Sequence, residues 1–294
     1  MFIKIEKSCN YNINYKMELL PWIDVSKLHI PSLNQNENAV DYLYQHLELF
    51  DFHNIIQNPS FKILPVHLQQ PNIYPYIFLN PQPGIENILK DLDFSRLEWS
   101  YMCRNPRCID LIQENQKFVY AWESLCVNPK AIHILLKNMI HIDWTSLCLN
   151  PCKEAVDLLM QFPNKIDWLM LSSNPFAIDI LRKNPDKINY WGLCWNYNAI
   201  DLIEKHMAKK DCGPVLSWMG LSQNKNAIHI LEKNQHKIDW NQLSLNPSIF
   251  HYNYKRLTVE RMNILREEMM QITCHPSKIE YWLKNGLSIE DLPD

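Results

Sequence analysis

Residues 171–190 read LSSNPFAIDILRKNPDKINY, and the reading of this stretch decides the fold. Two relatives lie in the same chain: residues 221–240 read LSQNKNAIHILEKNQHKIDW, and residues 125–144 read LCVNPKAIHILLKNMIHIDW. Aligned on the first asparagine, the pattern becomes a ladder: Asn36, Asn58, Asn80, Asn105, Asn128, Asn150, Asn174, Asn196, Asn224 and Asn246. The steps are about 22 to 25 residues, with one longer step between Asn196 and Asn224, and a period of that size is the signature of a repeat array.

The spacing inside one copy predicts two short helices. Six residues before the asparagine stands an aromatic in the later copies: Trp99, Trp122, Trp144, Trp168, Tyr190, Trp218 and Trp240. Three residues later comes an apolar residue such as Leu171 or Leu221. A small one follows: Cys103, Cys126, Cys148, Ser172, Cys194, Ser222 or Ser244. These positions share one face of a helix. Asp143, Asp167 and Asp239 precede the aromatic and fit its N-cap. After the asparagine, Ala177, Ile178 and Leu181 form the apolar stripe of the second helix.

The two Asn-Pro pairs act as punctuation. Asn174 caps a helix start, and Pro175 has no N–H to leave unsatisfied there. Asn184 is read as a helix stop in the left-handed conformation, with Pro185 blocking continuation. Asn115, Asn138 and Asn234 hold the same stop position.

One such copy cannot close a core, so neighbours must stack. The expectation is an all-α protein, an elongated α-solenoid of about ten two-helix repeats, near 90 Å long at roughly 9 Å per layer. The division predicted is a lead segment over 1–21, the repeats over 22–250, and a helical C-terminal cap over 251–294. Within the cap, RLTVERMNILREEMM reads as one amphipathic helix, and a shorter helix ends near Gly286.

The unit W-x-x-L-[SC]-x-N-P-x-A-I resembles a short helical repeat of giant nucleocytoplasmic DNA viruses. The match is strongest over residues 168–240 and extends weakly over 22–250. The resemblance implies an interaction module without assigned chemistry, in the host cytoplasm or the virion.

Composition narrows the function. The 294 residues are 47% hydrophobic and 21% charged, with a net charge of −3. A nucleic-acid binder needs clustered lysine and arginine, so nucleic acid is a secondary reading, as is a structural virion component. No apolar run is long enough for a membrane span. Nine cysteines without a secretory leader read as free thiols in a reducing compartment. No phosphate-binding glycine loop, nucleophile elbow or H-E-x-x-H motif occurs, so no enzyme, metal or cofactor is expected.

The expected partner is therefore a protein. Cys103, Cys126, Cys148 and Cys194 share a repeat slot that serine also fills, which argues for a small buried residue. His133 and His229 share a position with Asp110, Asp179 and Asp201, which reads as a solvated face. Positions one and five after the aromatic point away from the buried stripe. They hold Leu169, Trp191, Trp195, Met219 and Leu245, with Leu149 beside them, and these are the candidate partner-binding residues.

Overall fold

The computed structural model describes residues 17–63, 77–81, 99–115, 120–209, 216–273 and 275–286. Residues 1–16 of the expected lead segment and part of the longer step between Asn196 and Asn224 lie outside them. The chain is mostly helical. It divides into two units, Leu19–Phe250, which holds the repeats, and a second unit containing both terminal segments.

Each complete copy holds the expected pair. Trp168–Ser173 is a first helix and Ile178–Lys183 a second, joined by a short 3₁₀ turn at Pro175–Ala177. Trp218–Gln223 with Ile228–Lys233 repeats the arrangement. Asp143, Asp167 and Asp239 accept backbone N–H groups at the starts of their first helices, as do Asn189 and Ser217. Leu171, Ala177 and Leu181 are fully buried.

The ladder asparagines do more than cap. In eight copies the side-chain oxygen accepts the N–H two residues on, at 2.8–3.0 Å, as Asn174 does from Phe176. The amide nitrogen donates to two carbonyls of the preceding layer. Asn174 Nδ2 reaches Cys148 O at 2.9 Å and Asn150 O at 2.8 Å. Asn196 reaches Ser172 O and Asn174 O in the same way. Only a side chain that accepts and donates at once meets both demands in a buried place.

The elongated solenoid is overturned by the first and last copies. Asn36 Nδ2 donates to Ser244 O and Asn246 O, both at 2.9 Å. That is the bond pair each other ladder asparagine makes to the layer before it. Asn38 Nδ2 donates to Pro247 O, as Asn198 does to Pro175 O and Asn226 to Tyr197 O. Lys27 lies 5.2 Å from the Trp240 ring, and Lys237 lies 4.7 Å from that of Trp218. Leu20 N–H bonds Ile249 O at 2.8 Å. The array within Leu19–Phe250 is thus a closed cycle whose seam copies its interior joints.

Curvature explains the closure. First helices of successive layers pack directly on one another, and second helices do so far less. The closely spaced row must lie on the inside of the curve. Ten asparagine ties that return to their starting point turn by about 36° each, a small rotation for stacked repeats.

The small-residue slot is a second interlayer tie. Ser172 Oγ donates to Trp168 O and accepts Asn189 N–H at 3.0 Å; Ser222 does the same with Trp218 O and Asp239 N–H. Ser244 Oγ accepts His29 N–H across the seam at 2.9 Å.

The helix stops need correction. Asn115, Asn138, Asn184 and Asn234 have φ between −121° and −131°, far from the left-handed region. Each donates its side-chain amide to the carbonyl four residues back, at 2.8–2.9 Å. The amide satisfies an orphan carbonyl directly, so no left-handed residue is needed. Pro185 then opens a 3₁₀ turn, Pro185–Lys187.

In the second unit, Tyr254–Thr273 is one long helix and Pro276–Lys284 a shorter one, followed by Gly286 at φ 90°. Glu18 accepts from Asn253 and pairs with Arg256 at 3.0 Å; the Asn253 bond leads in holding its carboxyl below the ordinary value. β1 (Met17–Leu19) pairs with β2 (Phe250–Tyr252).

Two measurements check this architecture. Asn174→Asp keeps the acceptor and loses both donors while burying a charge among carbonyls, and should cost about 3–5 kcal/mol in chemical denaturation. Ser244→Ala at the seam should cost the same as Ser222→Ala inside the array, about 1 kcal/mol each. A seam variant with no effect beside a costly interior one means an open array.

Candidate interaction surface

The candidate partner-binding residues sit on the first helices, on the side turned from the second helices. Trp191 is 48% exposed and Met219 45%, while Leu169, Trp195 and Leu245 are half-buried. Leu149, Leu169, Trp191 and Trp195 line an open cleft of about 290 Å³, almost wholly apolar. Trp195 and Leu245 also line a neighbouring cleft of about 280 Å³, together with Tyr197 and Lys225. Trp195 is the wall the two clefts share; Met219 lines neither.

Two glycines set the shape of this wall. A Cβ on Gly192 would stand 2.2 Å from the Leu169 carbonyl oxygen, so the first helices of these layers touch through backbone. A Cβ on Gly220 would stand 2.9 Å from Trp195 Nε1 and 3.0 Å from Trp195 Cδ1. The indole is therefore seated against the next layer. Glycine inside a helix costs about 0.5–1 kcal/mol relative to alanine, and close approach is its use here.

The same positions are mixed around the cycle: Gln35, His53, Gln57, Ser100, Arg104 and Glu123 stand with Pro31, Leu79 and Val127 in earlier layers, and Thr145, Ser173, Gln223 and Asn241 stand among the apolar ones in later layers. The largest apolar side chains at these positions, Trp191, Trp195 and Met219, all fall in later layers.

The remaining constellations resolve as structure. Cys103, Cys126, Cys148 and Cys194 are fully buried. Cys194 Sγ donates to Tyr190 O at 3.2 Å, as Ser172 Oγ does to Trp168 O. Burial pushes the Cys103 thiol up to about 12, and those of Cys126, Cys148 and Cys194 up to about 11. His133, His229, Asp110 and Asp179 are exposed. Arg182 pairs with Asp201 at 3.2 Å, His229 with Glu204 at 2.8 Å, and Gln113 bonds His133. These contacts tie second helices of adjacent layers, and exposed pairs of this kind contribute about 0–1 kcal/mol each. Among the described residues, no group of three or more His, Cys, Asp or Glu is placed to hold a metal ion. Among them too, no helix is long and apolar enough to cross a membrane.

The ladder has one defect. Asn150 Oδ1 is, among the described residues, the buried side-chain atom without a hydrogen-bond partner. Here Cys152 takes over as N-cap, its sulfur accepting from Ala155 N–H at 3.4 Å.

Compared with protein-family models, curated proteins and solved structures, the chain matches none.

The thiols give a direct prediction. Raised in the fold and ordinary when unfolded, they bind more protons in the folded state above pH 9. Stability should therefore fall as pH rises from about 9 through 11. A soluble disulfide reagent at pH 8 should label these four cysteines only after denaturation, as peptide mapping of the labelled protein would show. Prompt labelling of native protein contradicts their placement.

Proposed function

We propose that this chain is a non-enzymatic protein–protein interaction scaffold that presents the clefts around Trp195 on its first-helix face to a partner protein. The observation that carries the reading is the pair of adjacent clefts sharing Trp195, flanked by the exposed Trp191 and Met219. Contiguous apolar surface of this kind marks binding sites, and tryptophan and methionine are enriched in them. The repeat resemblance adds a setting: a viral protein acting on a host or viral partner, in the host cytoplasm or the virion.

The structure separates the two tryptophans as probes. Trp191 is exposed, so Trp191→Ala should leave the melting temperature within about 0.5 kcal/mol equivalent of the parent. Trp195 is packed on Gly220, so Trp195→Ala should cost about 1–3 kcal/mol. Quantitative pull-down with the tagged chain should recover a protein that Trp191→Ala loses, with an affinity drop of about 2 kcal/mol for an anchor of this type. Strong, salt-sensitive retention on heparin or RNA, unaffected by Trp191→Ala, would falsify the scaffold and favour nucleic-acid binding.

A further inference from the structure

The repeats provide an internal standard for what each position requires. Six connectors leading into a first helix form the same three-residue 3₁₀ turn: Val25–Lys27, Leu47–Leu49, Met139–His141, Pro163–Lys165, Pro185–Lys187 and Gln235–Lys237. The middle residue is Ser26, Glu48, Asn164, Asp186 or His236 in five of them. In the sixth it is Ile140, 91% exposed. The last residue is a lysine in four; Lys27 and Lys237 lie over the tryptophan of the preceding layer. In the sixth it is His141, stacked on Trp122 with ring centroids 4.5 Å apart. The turn geometry is unchanged, so folding does not explain the departure.

The departure is accompanied by a cleft. Ile140, His141, Tyr120, Trp122, Glu123 and Asp143 help line an opening of about 500 Å³. Tyr120 is 69% exposed, and Leu136 and Met139 beside Ile140 are exposed as well. Tyr120, Trp122 and Ile140 form the large apolar and aromatic part of a lining that is otherwise mostly polar, with Ser100, Ser124 and His141. Two carboxylates, Glu123 and Asp143, lie within it, and Asp143 spends one oxygen on the Ser146 N–H at 2.7 Å. Among the described residues lining the cleft there is no lysine or arginine.

We propose that this cleft is a second docking site, for an extended peptide segment that presents an apolar side chain next to a lysine or arginine. The apolar side chain rests on Ile140 and Tyr120, and the basic group reaches Glu123 and Asp143. Charge complementarity selects this occupant over an acidic one, because like charges brought together at an interface are penalised. The site lies outside the apolar clefts around Trp195 and stands or falls separately from them.

The test uses the full chain and two fluorescein-labelled peptides of equal apolar content, one alternating leucine with lysine and arginine, the other alternating leucine with glutamate. Fluorescence polarisation should show saturable binding of the basic peptide and none of the acidic one. Ile140→Asp with His141→Lys gives the turn the residues found at Asp186 and Lys187, so the fold is kept. It should weaken the basic peptide at least about tenfold, as loss of an interface anchor does. Glu123→Gln with Asp143→Asn should do likewise, since Asn189 already serves as N-cap in another layer. Equal binding of both peptides, undiminished binding by either double variant, or no binding at all overturns the proposal. So does self-association in sedimentation that disappears in the Ile140 variant, which would make the patch a contact between copies.

Discussion

A buried primary amide bridging two layers is the interaction on which the rest of this structure depends. Each ladder asparagine donates to two carbonyls of the layer before, and eight of them also accept an N–H from their own turn, as Asn174 does. The turn would otherwise bury backbone groups without partners, at about 1–3 kcal/mol for each. Aspartate has no donor and serine reaches one partner fewer, so the identity is fixed by valence and not by size. The tie also sets the spacing of the inner row, since hydrogen bonds of 2.7–3.2 Å hold each layer to the next.

This explains which parts of the fold were legible from sequence. The asparagine period, the aspartate caps before the tryptophans, and the buried Leu and Ala positions each carry a local chemical reason, and each was readable. The second ties through Ser172, Ser222 and Ser244 were half legible. Exchange with cysteine showed a small buried residue but hid that the serine oxygen accepts an N–H from the next layer. The helix stops were misread because asparagine has two ways to end a helix, and the amide-to-carbonyl bond needs no special backbone. Closure had no signature at all. Curvature comes from the difference in spacing between two helix rows, summed over ten layers, and no single residue encodes it.

The candidate surface follows the same division. That Trp191 and Met219 face outward was predictable from helical spacing. That Trp195 instead seats on the next layer depends on Gly220, whose missing side chain matters only once the two layers are brought together. Ile140 was only partly legible: aligned copy by copy, its position holds Ser26, Glu48, Asn164, Asp186 and His236, but also Phe118 and Pro214. Turns are where a repeat protein is free to vary without disturbing its core.

The seam has a mechanical consequence. A linear stack can lose its terminal layer by breaking one joint, so it frays inward from both ends. In a ring every layer is held on two sides, and detaching any one of them requires two joints to open together. Peeling is thereby replaced by a single concerted rupture. Layers in the middle and layers beside the seam share one rigidity, and none serves as the weak terminal coil of the spring.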